Sequence, residues 1–380
     1  MNISGAPRPG PPAPGAPHLA EMCVRRRTAP HRILLCALLF ALPAFALAAQ
    51  SKPAPPAMPK NPLALLQLGA LRNGLTAPGL PPWHIKVSYQ TYKPNGHPKA
   101  TGTFEEWWAA PDEYVLVFDR KGYHLQAWVT PHGSFAIGNP DLPMPERLVY
   151  HWIVAPIPRH PDLTGAHFRY RVRLIGPMQL PCVQIDSRQP APGNLPPQYP
   201  TFCFESHHPM LRIADTRISE VVTTAAVGEL GRQYLAQHFT AVIGPRIILT
   251  ATLQRGESFI RIDPSFFTPP ANARPAPPPS TSILYLTARE AATHLIPSSA
   301  AHNGPLSFLQ MSHAFVELAA SIDTHGRVHG LQILGSTDPY LVSSIYQAVS
   351  HFRYRPFLLN GAPTAVRTRI LLDFRVRFPK

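Results

Sequence analysis

The sequence predicts an α+β protein, with a β-rich antiparallel domain followed by a small β-β-α-β domain. Three observations lead there. Apolar and polar residues alternate at period two through most of residues 83–267. Gly-, Pro- and Asn-rich turns such as "KPNGHP" and "DRKG" separate the runs at short intervals. A proline-rich break from Thr268 to Ser280 then sets off residues 281–380, where one helical pattern interrupts the alternation.

At the N-terminus, Arg25, Arg26, Arg27 and Arg32 precede an apolar run from Ile33 to Ala49 that contains a small-x-small site, Ala46-Leu47-Ala48. This is the layout of a cleaved export signal, so residues 1–48 are expected to be an N-terminal extension and signal peptide. Met22 offers a second start. The alternative is an uncleaved inner-membrane anchor. Against it, the run is near the lower limit for a span and Pro43 interrupts it.

The chain has 380 residues, 48 of them proline, and a net charge of +14. Hydrophobic residues make up 45%, too many for wholesale disorder, so the clustered prolines read as linkers. Cleavage after residue 48 takes away five Arg and one Glu and leaves +10. An exported basic protein suits anionic lipid headgroups or acidic glycans. Nucleic acid is not an expected partner, since no concentrated Lys/Arg block is present. Only Cys182 and Cys203 follow the leader, and an even pair in an oxidising space predicts a disulfide.

Residues 49–60 form a proline-rich spacer. Asn61 and Pro62 open a helix in which Leu63, Leu66 and Leu68 give an apolar side. Strands follow over "WHIKVSYQTY", "ATGTFEEWWAA", "EYVLVFD" and "YHLQAWVT", then a helix over "MPERLVYHWIVAP", then strands to "SEVVTT". Residues 234–256 are ambiguous, and "FIRIDPSFF" reads as the last edge of a domain spanning 61–267. The linker 268–280 has six prolines in thirteen residues and is expected to be extended. Beyond it, "AFVELAASI" and "RVHGLQILGS" form a hairpin around "DTHG", and Asp338-Pro339 start a helix. In the final strand Val366, Thr368 and Ile370 face a core. Arg367, Arg369 and Arg375 face the other way, solvated or turned to an acidic partner. On this pattern the last hundred residues fold alone.

The segment Ala314 to Phe378 resembles the C-terminal domain of the TonB family. The residues that carry the likeness are Gly326 in "DTHG", Phe352-Arg353-Tyr354-Arg355-Pro356, and the Asn360-Gly361 turn before the last strand. The resemblance implies a TonB-like sheet that adds a strand from an outer-membrane transporter or another envelope protein. Residues 61–267 resemble, more loosely, the half-barrel periplasmic carriers of the LolA type, through a leading helix, a strand meander and an intervening helix. That likeness implies a half-barrel-like domain whose sheet takes lipid or another apolar ligand. Trp107 or Trp108, with Tyr123, would line the ligand, or simply form core.

No catalytic residue, metal or cofactor is expected. The chain has no G-x-S-x-G elbow, Gly-rich phosphate loop or C-x-x-C pair. Glu105 and Glu106 are adjacent on a strand and diverge. Three functions remain in play. One is an exported periplasmic protein that binds or scaffolds through the TonB-like module. Another is a TonB-type energy transducer held by an uncleaved leader. The third is a periplasmic carrier of lipid or lipoprotein.

Overall fold

The computed structural model of the chain describes residues 58–157, 166–186, 200–216, 218–297 and 313–375. The leader, its cleavage site and most of the spacer lie outside the described residues.

Helix α1 (Pro62–Arg72) starts as its residues require. The Asn61 side chain accepts from the Ala64 amide, and Pro62 fills the first turn. Its buried side is Leu65, Leu66 and Gly69, one position around from the expected stripe. Gly69 is needed there because the ring of Phe204 lies against its Cα.

Five strands follow as an antiparallel meander: β1 (Trp83–Tyr92), β2 (Pro98–Ala110), β3 (Glu113–Arg120), β4 (Tyr123–Thr130) and β5 (Gly133–Gly138). Helix α2 (Met144–Val154) leads to a second meander: β6 (His167–Ile175), β7 (Met178–Asp186), β8 (Thr201–Phe204), β9 (Leu211–Asp215), β10 (Glu220–Leu230), β11 (Gln233–Ile243) and β12 (Arg246–Ser258). The ambiguous stretch is the β11–β12 hairpin, turned at Gly244 with φ of 56°. β12 returns to pair with β1 and joins both meanders into one sheet. Cys182 and Cys203 face each other in register on β7 and β8 and form a disulfide.

"FIRIDPSFF" does not form an edge strand. It folds into a loop and a 3-10 turn (Pro264–Phe267) that covers Val115 and Trp128. Asp263 caps that turn through the Ser265 amide, which competes with strand pairing. The proline-rich linker is docked at two places, on β5 and, through Ser280, against Arg147. Its Arg274–Pro275 pair forms β13 on the edge of β5, where proline is tolerated because no inward donor is required. Counting β13, thirteen strands lie in this sheet among the described residues.

The C-terminal residues build a second, mixed sheet in the order β14 (Ile283–Tyr285), β18 (Ala362–Arg375), β15 (His313–Ile322), β16 (Val328–Ser336), with β17 (Phe357–Leu359) also on β18. Helix α3 (Ala288–Ala292), closed by a Thr287–Glu290 capping box, follows β14. Helix α4 (Pro339–Ser350) packs Leu341, Ile345 and Val349 on the core face of this sheet. The β-β-α-β order holds, with β14 added parallel to β18.

The aromatic-basic motif has a structural role. Phe352 and Tyr354 enter the core, while Arg353 and Pro356 stay outside it. The Tyr354 amide donates to the Gly326 carbonyl, tying the post-helix segment to the β15–β16 turn. Gly326 (φ 76°) has no room for a side chain, because the Tyr354 carbonyl fills the space. Asn360 and Gly361 both take positive φ and close the β17–β18 hairpin.

The arginine face of β18 corrects the expectation of a solvated surface. Arg367 is 3% exposed and donates to Glu220 of β10, which is fully buried. The same Glu220 accepts from Trp152 Nε1 at 3.2 Å and from Tyr285 Oη at 3.3 Å. Arg369 donates to Glu317 Oε1 at 2.6 Å and to Ser219 in the turn before β10. Ile218, Ile243 and Ala319 form an apolar cluster between the sheets. The face alternates as expected, but what covers it is the rest of the chain. Of Arg375 only the backbone, within β18, is described.

Replacing Arg367 with Ala should cost about 3–5 kcal/mol in urea denaturation, since it strands a buried carboxylate. The double change Glu220→Gln with Arg367→Met should recover most of that loss. Both sheets should unfold in one transition, not two. Replacing Cys182 and Cys203 together by Ser should cost about 3 kcal/mol, the loop-closure term for a ring of this size. Non-reducing peptide mapping should show their cross-link.

Candidate functional site

The face of the larger sheet under α1 and α2 is filled by side chains. Trp83, Ile85, Val87 and Tyr89 of β1 pack with Phe104, Phe118, Leu125 and the α2 residues Leu148, Trp152 and Ile153. Trp108 stacks on Trp83 on this side, 5.7 Å between centroids. Tyr123 is buried nearby and donates to the Asn139 carbonyl at 3.0 Å. Trp107 lies on the opposite side, stacked on His84 at 4.5 Å and set against Phe266. The sequence therefore brings Trp108 and Tyr123 to one face and sends Trp107 to the other.

Two glutamates stand within this apolar filling. Glu146, in the first turn of α2, is fully buried. It accepts from the Tyr89 hydroxyl at 2.8 Å and from Arg120 Nε at 2.6 Å. Burial and then the Glu146 carboxylate push the Tyr89 phenol far up. Glu106 has no such cation. Its Oε2 lacks a hydrogen-bond partner, and burial pushes its carboxyl well above the usual carboxylate range. Tyr114, raised to about 12 by burial and then by Glu106, and Tyr150 on α2 face the same region. Glu105, pointing the other way, pairs with His84 at 2.9 Å and Lys86 at 3.2 Å.

The open space lies where this filling ends. A cleft of about 420 Å³ is bounded by the start of α2, the β1–β2 end of the larger sheet, β12, and the β15–β16 hairpin. Met144, Leu148, Ile248 and Leu249 form its apolar wall. Lys99, Arg120, Asp141, Asp323 and His329 supply polar groups around it. The hairpin is held over the cleft by Thr324 Oγ1 donating to Asp141 Oδ1 at 3.2 Å. His329 Nε2 lies 2.8 Å from Asp323 Oδ2. At the floor, Arg147 is buried and bonds Leu142 O and three atoms of Ser280 and Ser282. Burial lowers its pKa, with Asp141 opposing.

Of the residues singled out from sequence, Arg367 lines this cleft, and Trp107, Trp108, Tyr123 and Arg369 do not. Sequence reasoning missed Glu146, Arg147 and Glu220. A signal for the first two was present: adjacent opposite charges inside an apolar helical run, "MPERLVYHWIV". Among the described residues no cluster of three His, Cys, Asp or Glu could hold a metal. No described helix is long and apolar enough to cross a membrane.

Glu106 makes the fold pH-dependent in a stated direction. Below about pH 4.5, its ordinary value, folded and unfolded chains both hold the proton. Above that the unfolded chain ionises first, so stability falls by up to about 1.4 kcal/mol per pH unit until the buried carboxyl titrates. Glu106→Gln should remove this slope. Urea midpoints should match wild type at pH 4 and exceed it increasingly as pH rises above that.

No family model matches the chain, and no curated protein does. Solved structures do. A LolA-superfamily protein from Nitrosomonas europaea is 9% identical with a TM-score of 0.36, covering 55% of this chain and 97% of that one. A DUF1329-family protein from Desulfovibrio piger gives 6% identity and a TM-score of 0.35, over 55% and 94% of the two chains. A putative outer-membrane lipoprotein-sorting protein domain from Vibrio parahaemolyticus gives 9% and 0.34, over 54% and 95%. Likeness at this level assigns no ligand, and the chain's own cleft has to supply one.

Proposed function

We propose that the chain is an exported envelope protein, without a reaction of its own, that binds an apolar or amphipathic ligand in the cleft between its two sheets. The observation that carries this is the 420 Å³ cleft, with Met144, Leu148, Ile248 and Leu249 on its wall and charged groups at its rim. Such a site suits a molecule with a hydrocarbon part and a polar head, the chemistry of lipids and lipidated peptides. This favours the carrier reading over scaffolding through the C-terminal module, because the arginine face of that module is already occupied within the chain. Among the described residues, strand addition of the TonB type would be left with the outer edges of β16 and of the three-residue β14. The disulfide and the basic leader fit a periplasmic location.

Purified protein should bind a dansylated fatty acid saturably, with blue-shifted emission. Ile248→Asp puts a charge on the half-buried apolar wall and should weaken binding by about tenfold or more. Thermal melting of the variant separates loss of the site from loss of the fold. Wild-type protein with no saturable signal, and no lipid co-purifying in native mass spectrometry, would refute the carrier reading.

A further inference from the structure

β6 is the outermost strand of the larger sheet, paired only with β7 among the described residues, and almost all of it is open to solvent. Alternation gives it two faces. Arg169, Arg171 and Arg173 occupy one, and Tyr170, Val172 and Leu174 the other. Exposure of the apolar row rises toward the hairpin tip, from 39% at Tyr170 to 54% at Val172 and 69% at Leu174. The chain turns at Gly176-Pro177 and returns at Met178, itself 49% exposed and paired with Ile175. Leu174 lies on one face and Ile175 with Met178 on the other, so the tip is apolar on both sides. From Leu174 through Ile185 no residue is charged.

Large apolar side chains kept in water on an open edge strand are a liability for a soluble protein unless they have a counterpart. The cations behind this tip narrow what that counterpart is. Arg169 pairs with Asp186, and Arg173 with Asp215 at 2.9 Å. Arg171 is exposed and among the described residues makes a single 3.5 Å bond, to Gln184, so its charge is open to an external anion. A strand-adding protein would be met along the whole edge, whereas the apolar exposure here is concentrated at the end. We propose that the β6–β7 tip docks the protein on an anionic lipid surface. Leu174 and Met178 enter among the headgroups, and Arg171 faces the lipid phosphates. This does not depend on the cleft holding a ligand.

The test is flotation of envelope-purified protein with vesicles of phosphatidylethanolamine plus phosphatidylglycerol, and separately with vesicles of phosphatidylcholine. Wild type should bind the anionic vesicles. Leu174→Asp combined with Met178→Asp should weaken that binding at least about tenfold, with the melting temperature unchanged because both sites are exposed. Arg171→Gln should weaken binding to anionic vesicles about fivefold and leave the phosphatidylcholine result unaltered. Wild type that fails to float with anionic vesicles would overturn the proposal. So would a folded double variant that floats as well as wild type.

Discussion

A carboxylate removed from water must be met by a cation and by donors, or it will not stay ionised. Glu220 meets that demand with Arg367, Trp152 and Tyr285, which come from three other elements, β18, α2 and β14. Trp152 comes from the larger domain itself, but Arg367 and Tyr285 reach Glu220 only when the two sheets are face to face. The ion pair adds little net stability by itself, since desolvation offsets much of the attraction. What it supplies is specificity. Ile218, Ile243 and Ala319 would bury their area in many relative orientations, whereas Glu220 accepts only one. Ser219, beside it, holds a φ of 63°, a conformation a serine seldom adopts. The cleft exists because this junction fixes the distance between the β15–β16 hairpin and the start of α2.

The proline-rich segment serves the same junction. It spans from the 3-10 turn to β5 and then to Arg147, whose guanidinium grips Ser280 and Ser282 on the way to β14. A flexible linker would leave the C-terminal module at a low effective concentration near Glu220. A docked, proline-stiffened one loses little entropy on ordering and delivers β14 to its place.

Period-two alternation guided most of the strands, because half-buried strands must show it, but it left β11 and β12 undecided and misread the segment after β12. It placed β1, β10 and β18, and local chemistry placed Asn61, Gly326 and Asn360-Gly361. What alternation cannot show is which surface covers a polar face. Arg367 and Arg369 read as solvated because arginine usually is, and their partners Glu220 and Ser219 lie 147 and 150 positions away. The same blindness hid Glu146, whose contacts Tyr89 and Arg120 come from two different strands. Trp107 and Trp108 could be separated by parity alone, but choosing the inner one needed the helices in place. In the linker, composition is likewise silent about pairing. Proline composition predicts an extended backbone, and an extended backbone is also what an edge strand is.

The pairing of β1 with β12 has a consequence in time. β1 can zip with β2 as soon as both have been made, but its other edge waits for residues 158 to 175 positions further along the chain. Both meanders are local and assemble quickly, whereas the seam between them closes only after the second is complete. Until then, β1 offers an unpaired row of amides and carbonyls beside exposed Trp83, Ile85 and Val87. Its maturation is therefore limited by a single long-range closure, and the nascent molecule is open to capture by holding chaperones or by neighbouring chains for the whole of that interval.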